Sequence, residues 1–298
     1  MEYRKLSKLY STYIEGLRNY LINGKLHTIY TQTLTKTGRL SSIEPNLQNI
    51  PIRYEYGRLI RKAFVPKYDY MIGADYSQIE LRIMSHVANI KAMKEAFNNN
   101  EDIHSKTASD IFNVDIDLVT PDMRRIAKAV NFGIIYGISG FGLGENLKMK
   151  AKDGRAFIDK YLETYPGIKE YMDLSIKYAK ENGYVKTLFN RKRYIPELNH
   201  SVYTIRTSGE RMALNTPIQG TSADIIKLAM IRIYKKLEEE NMKTKMIIQV
   251  HDELIFDVPS EEKEKVIEIV TDIMENVFKL DVPLKVDVSV GENWYQAK

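Results

Sequence analysis

The chain contains no cysteine, which excludes disulfides and thiolate-bound metal sites. No apolar segment is long enough to cross a bilayer. The opening residues Met-Glu-Tyr-Arg-Lys-Leu lack the apolar stretch of a secretory signal. No membrane partner and a cytoplasmic location are therefore expected. Internal repeats, low-complexity tracts and a clear interdomain linker are also missing. Strong charge imbalance is absent too: a net charge of +5 fits nucleic-acid binding but is shared by many unrelated proteins. What is present is length. A chain of 298 residues can bury a sizeable core and form two or three subdomains.

Three segments carry residue patterns that point to chemistry. In Met246-Ile-Ile-Gln-Val-His-Asp-Glu-Leu-Ile-Phe-Asp-Val258, two apolar runs flank His251-Asp252-Glu253, the pattern of a β-hairpin with acids at its turn. Charge at the end of a buried scaffold calls for a metal ion or a basic partner; a solvated turn is the alternative. In the second segment, an apolar run from Tyr70 to Ala74 ends in Asp75, and Ile79, Ile83 and Val87 then recur at helical spacing. Asp75 thus also lies at a strand end. Two such aspartates suit Mg²⁺, which favours carboxylates together with substrate phosphate oxygens, although the spacing leaves open whether Asp75 and Asp252 meet. The third segment follows Pro121, a helix-start signal. There Arg124, Lys128, Phe132 and Tyr136 recur so as to drift only about 40° per step around a helix, sharing one broad face. Two cations followed by two rings suit a nucleoside triphosphate; an amphipathic helix with a basic solvated end is the alternative.

Between these segments the chain reads coarsely. Residues 1–23 read as a helix with Leu6, Leu9, Tyr10, Tyr13 and Leu17 as its apolar stripe, and Asn23-Gly24 reads as a turn. His27 to Leu34 reads as a strand. The region 84–214 reads as mainly helical. A helix from Ala223 to Glu240 leads into the hairpin, Glu261 to Phe278 forms another helix, and Leu284 to Val290 alternates like a strand. This order of elements is α+β.

The three segments resemble motifs A, B and C of the family A DNA polymerases, the bacterial DNA polymerase I group. The resemblance extends to Thr37–Arg53, similar to the family's palm segment beside the primer-template, and to Glu210–Lys227, similar to a template-contacting helix. Gly291-Glu-Asn-Trp294 resembles the family's C-terminal signature. The motifs stand in family order along essentially the whole chain. The resemblance implies an antiparallel palm sheet with a large, mainly helical fingers insertion. Residues 1–36 would form a helical segment and strand joining thumb to palm. Residues 37–83 would form the first part of the palm, 84–214 the fingers, and 215–298 the second part of the palm. The thumb and exonuclease domain are expected to be largely absent. Low processivity and no proofreading follow as expectations, as does a partner protein or missing N-terminal domain that replaces the thumb.

The implied activity is DNA-directed DNA polymerisation for DNA replication or DNA repair. A primer 3′-hydroxyl attacks the α-phosphate of a dNTP, and pyrophosphate leaves. The resemblance implies two Mg²⁺ ions, replaceable by Mn²⁺, on Asp75, Asp252 and the Tyr76 carbonyl, with Glu253 as a supporting carboxylate. It gives Arg124, Lys128, His104 and Gln78 to the dNTP, with Lys128 also able to protonate pyrophosphate. Phe132 would lie against the deoxyribose and disfavour dideoxynucleotides. Tyr136 would stack at the template side, and Glu80 would exclude a ribose 2′-hydroxyl. Arg39, Gln48, Asn49, Arg211, Asn215, Gln219 and His251 would face primer-template DNA. Two other readings stand beside this one. One is a primer-template binding module or fragment that needs a missing thumb; the other is a related single-subunit RNA polymerase, against which Glu80 argues.

Overall fold

The computed structural model describes residues 2–52 and 55–298, so Arg53, the last residue of the Thr37–Arg53 segment, lies outside the described residues. The chain forms two compact units. The first, the sheet unit, comprises Met1–Ser77, Ala223–Phe278 and Lys285–Lys298; the second, the helical unit, comprises Gln78–Ser222 and Lys279–Leu284. Antiparallel sheets and separate helices bear out the α+β expectation.

The sheet unit is built on four strands: β1 (Tyr70–Tyr76), β2 (Lys245–Val250), β3 (Glu253–Val258) and β4 (Val286–Gly291). Their order is β4-β1-β3-β2, and every neighbouring pair is antiparallel. β1 and β3 are central strands, so their sequences are near-continuously buried instead of alternating: Met71 to Ala74 are buried, as is all of β3. β2 and β4 are the edge strands, and β2 shows how an edge is blunted. β2 carries exposed Lys245 and a register irregularity between Met246 and Ile248, features that blunt an edge against further pairing. The two-residue turn His251-Asp252 closes the β2–β3 hairpin, with His251 in the left-handed region at φ 55°. One face of the sheet is covered by Leu47, Ile50, Ile60, Trp294 and Ala297, with Leu9, Tyr13 and Leu17 packed against them.

The N-terminal helix is shorter and differently wound than its apolar stripe suggests. Helical structure ends at Arg18, and Leu21–Ile22 and Lys25–Leu26 pair as a small hairpin around Asn23-Gly24. Tyr10–Glu15 form a π-helical turn. The wider turn keeps Leu9, Tyr13 and Leu17 on the core side and leaves Leu6 and Tyr10 exposed. The strand expected from His27 to Leu34 is confined to Ile29–Thr31, paired with Ser41–Ile43.

The helical unit contains α1 (Ile79–Val87), α2 (Ile103–Phe112) and α3 (Pro121–Ile135), followed by further helices and by a short hairpin, Tyr184–Lys186 with Lys192–Tyr194. α3 starts as its sequence dictates, with Pro121 in the first turn and the Thr120 hydroxyl accepting the Met123 N–H at 3.3 Å. α4 (Tyr203–Glu239) is one continuous helix through Pro217, longer than the Ala223–Glu240 helix expected from pattern. Pro217 has no N–H to donate into the helical ladder. One residue earlier, the Thr216 hydroxyl donates to the Met212 carbonyl at 2.6 Å, and Arg193 Nη1 donates to Thr216 Oγ1 at 2.9 Å. No helix among the described residues is long and apolar enough to cross a membrane.

Candidate active site

The acids of the sheet unit gather at one end of the sheet. Asp75, next to last in β1, pairs directly with Glu253 of β3 on one side and with Asp287 of β4 on the other. Directly paired residues share a sheet face, so three acidic side chains lie in a row across it. The hairpin turn is tied to the same place, because the Tyr76 N–H donates to the Asp252 carbonyl at 3.2 Å. Asp75 and Asp252, open as to meeting in the sequence, are therefore neighbours. Glu253 is not a solvated turn residue: it opens β3 and is 1 % exposed.

Like charges in a row are unfavourable unless cations answer them. Lys298 Nζ donates to Glu253 Oε2 at 2.6 Å and lies 3.6 Å from Asp75 Oδ2. Arg61, itself buried, lies 3.9 Å from Glu253 Oε2 with its guanidinium 4.1 Å above the Trp294 ring. Asp75 Oδ1 is buried and has no hydrogen-bond partner. Burial, and then the Asp252 charge, push the Asp75 carboxyl up to about 7, against the pull of Lys298. An orphaned carboxylate oxygen beside a second carboxylate is an oxygen-rich donor set that fits a hard divalent cation. Among the described residues no group of three or more His, Cys, Asp or Glu side chains is arranged to hold a metal ion. Mg²⁺ bound through one or two carboxylates plus substrate phosphates needs no such cage.

In the helical unit, α3 presents the expected series. Arg124, Lys128 and Phe132 lie on the helix, and Tyr136 is its C-cap residue. Lys128 is exposed, whereas Arg124 and Phe132 are partly buried. Arg124 is held in place by Asp102, which takes its Nε at 2.7 Å and its Nη2 at 2.6 Å. Asp102 also caps α2 by accepting the His104 and Ser105 N–H groups. The Tyr136 hydroxyl donates to Glu80 Oε2 at 2.5 Å, and Glu80 is buried in α1, not a surface glutamate. Gln78 takes the left-handed conformation, and its carbonyl accepts the Leu81 and Arg82 N–H groups to start α1. His104 is 2 % exposed, and burial pushes its pKa down to about 4, helped by the charges of Lys128 and Arg124. The Asn131 amide lies 3.1 Å from His104 Nδ1 while its oxygen accepts from Tyr161 at 2.9 Å. That orientation makes Nδ1 the acceptor and puts the ring proton of the neutral imidazole on Nε2. Phe132 tilts against the same ring at 5.7 Å.

The residues assigned to DNA are divided between the units. In the sheet unit, Gln48 Nε2 donates to Gln249 Oε1 at 3.0 Å and to the Gln249 carbonyl at 3.2 Å. The Asn49 carbonyl accepts the Tyr13 hydroxyl at 2.6 Å, and Asn49 is exposed. Arg39 is partly buried and His251 is exposed at the hairpin turn. In the helical unit, Arg211, Asn215 and Gln219 recur along α4. Arg211 packs against the backbone at Gly137, where its Cγ would lie 2.8 Å from any added Cβ. Asn215 Oδ1 is buried with no partner.

Sequence reading missed Arg61, Lys298, Asp102, Asn131 and Asp287. Asp102 had a legible signal, an Asp directly before a helix. Nothing in the sequence connects Arg61 or Lys298 to Glu253, since only folding brings residues so far apart in the chain together.

The chain belongs to DNA polymerase family A, whose model matches residues 1–296. It is 55% identical over 302 residues to DNA polymerase I of Bacillus subtilis, covering 100% of this chain and 34% of that protein. It is 53% identical over 301 residues to DNA polymerase I of Caldicellulosiruptor bescii, covering 100% of this chain and 35% of that protein. The chain thus spans about a third of the length of these curated relatives. Among solved structures, it matches the POL domain of Pol1 from M. smegmatis, in complex with DNA primer-template and dNTP, with a TM-score of 0.95 and 44% identity. That match covers 99% of this chain and 52% of the other.

Proposed function

We propose that this chain is the catalytic palm-and-fingers region of a DNA-directed DNA polymerase, adding deoxynucleotides to a primer 3′-hydroxyl. The observation that carries the reading is the crowded carboxylate end of the sheet, where Asp75 keeps a buried oxygen without a partner beside Asp252. Family membership and the primer-template and dNTP of the M. smegmatis relative support it.

Asp75, Asp252 and the Tyr76 carbonyl would hold divalent cations, two Mg²⁺ ions by family resemblance. Such ions lower the pKa of an attacking hydroxyl and neutralise charge on a triphosphate. The chain's own groups do the rest. Arg124, pre-oriented by Asp102, and exposed Lys128 bind the triphosphate by charge, and Lys128 gives a proton to the leaving pyrophosphate. Neutral His104 offers its Nε2–H to a phosphate oxygen, and Gln78 supports the nucleotide at the start of α1. Phe132 lies against the deoxyribose. Glu80, fixed by Tyr136, fills the space of a 2′-hydroxyl, while Tyr136 moves when the fingers close. Gln48, Asn49 and Arg39, with Arg211, Asn215 and Gln219, face the minor groove, whose acceptors look alike in all correct base pairs, and His251 faces the primer-template.

The test is extension of a labelled primer on a heteropolymeric DNA template with Mg²⁺ and all four dNTPs. Template-directed extension that is lost in Asp252→Ala is expected. Primer-template binding without extension at high protein concentration would overturn the reading.

A further inference from the structure

Two cations meet the acidic row of the sheet, and they differ in kind. Arg61 is immobile. Its side chain is 4% exposed, its guanidinium is clamped over Trp294, and its Nε and Nη1 have no hydrogen-bond partner. Withdrawing it would strand Glu253, whose side chain is 2% exposed, near the full penalty of a buried charge. Lys298 is the opposite case. Its side chain is 32% exposed, and its ammonium rides on a flexible four-carbon stem. The stem nevertheless starts from a fixed point. The Trp294 backbone N–H donates to the Phe64 carbonyl at 3.0 Å, and the Ala297 carbonyl lies against Gly73 of β1. From there Lys298 Nζ bonds Glu253 at 2.6 Å and approaches Asp75 to 3.6 Å, beyond hydrogen-bond reach.

We propose that Lys298 is a displaceable counter-cation of this carboxylate end: it balances Asp75 and Glu253 when no divalent ion is bound, and it competes with that ion for the same negative field. Arg61 permanently balances Glu253, so Glu253 tunes the site through Lys298 and does not itself hold an ion. Lys298 is a positioning residue in this scheme. The inference rests on the reading of Asp75 and Asp252 as cation-holding carboxylates.

The test is Mn²⁺ binding to the whole chain without DNA or nucleotide, followed by electron paramagnetic resonance, with thermal melting to verify folding. Lys298→Gln should tighten Mn²⁺ binding by about five-fold, the effect of removing one charge near 4 Å under strong solvent screening. Lys298→Arg should stay close to wild type, and Asp75→Asn should weaken binding. Lys298→Met, which keeps most of the stem, gives the same comparison if the Gln variant does not fold. Unchanged or weaker Mn²⁺ binding in a folded, charge-free variant would overturn the inference. Absence of Mn²⁺ binding in wild type and variants alike would overturn it together with the cation-site reading. Tight Mn²⁺ binding with no primer extension would overturn the polymerase reading alone.

Discussion

Asp75 shows how one residue's environment sets its chemistry. Its carboxyl is raised to about 7, first by burial and then by Asp252. In the absence of divalent ions, the folded chain therefore keeps a proton that the unfolded chain releases above the ordinary carboxylate range. Asp75 thus contributes stability that is lost as pH rises towards 7. Buried His104, lowered to about 4, acts in the opposite sense, because the unfolded chain takes up its proton first as pH falls. The informative quantity is therefore the melting temperature of wild type minus that of Asp75→Asn, measured in EDTA. It should decline between about pH 4 and pH 7, the window set by the ordinary carboxylate pKa and the raised one. A difference that stays flat or climbs would show that the Asp75 carboxyl is not raised. Glu80 carries a second prediction at this scale. Glu80→Ala removes both the bulk beside the proposed sugar site and the acceptor of Tyr136. Ribonucleotide incorporation relative to deoxyribonucleotide should rise by an order of magnitude or more. Unchanged discrimination on a primed template would remove Glu80 as a steric gate.

Among the elements, β1 and α2 depend on single contacts whose loss can be measured. Gly73 lies where the C-terminal segment crosses β1, and a Cβ there would fall 2.0 Å from the Ala297 carbonyl oxygen. Gly73→Ala must push that backbone away, at a cost of about 1–3 kcal/mol or more. Its denaturation midpoint should drop, and a wild-type midpoint would mean that the segment is held too loosely to matter. Asp102 joins capping of α2 to orientation of Arg124. Asp102→Ala should cost about 1 kcal/mol of stability from the lost cap. It should also raise KM for dNTP more than it lowers kcat; an unchanged KM would separate Arg124 from triphosphate binding. The elements themselves were largely legible. β1, the β2–β3 hairpin and α3 carry strong local patterns, which is why their boundaries fall close to those read from sequence. The N-terminal helix and α4 were less so. A π-turn shifts the exposed face without changing composition, and Pro217 is a local helix-breaking signal that the helix nevertheless runs through.

For the molecule as a whole, net charge is modest at +5, so the proposed DNA binding would depend on where cations sit more than on how many there are. Primer-template binding measured by fluorescence anisotropy should weaken linearly in log Kd against log salt, with a slope that reports the number of phosphates neutralised. Arg211→Ala should weaken binding if α4 faces the duplex; identical affinity and slope in that variant would take Arg211 out of the interface. Trp294 ties the C-terminal segment to the core, packing edge-on against Phe64 at 5.4 Å and beneath Arg61. Trp294→Ala should destabilise the sheet unit by about 3–5 kcal/mol.

Local residue order was enough to specify the family motifs, the strands ending in Asp75 and Asp252, and the cation–aromatic face of α3. These are short-range patterns, in which side-chain period and neighbouring residues carry the information. Tertiary structure alone decided that Asp75, Glu253 and Asp287 form one acidic row, that Lys298 and Arg61 answer it, and that His104 is a buried neutral ring held by Asn131. Those relations join residues far apart in the chain. Pairing register and burial set them, and neither is written in any local window of sequence.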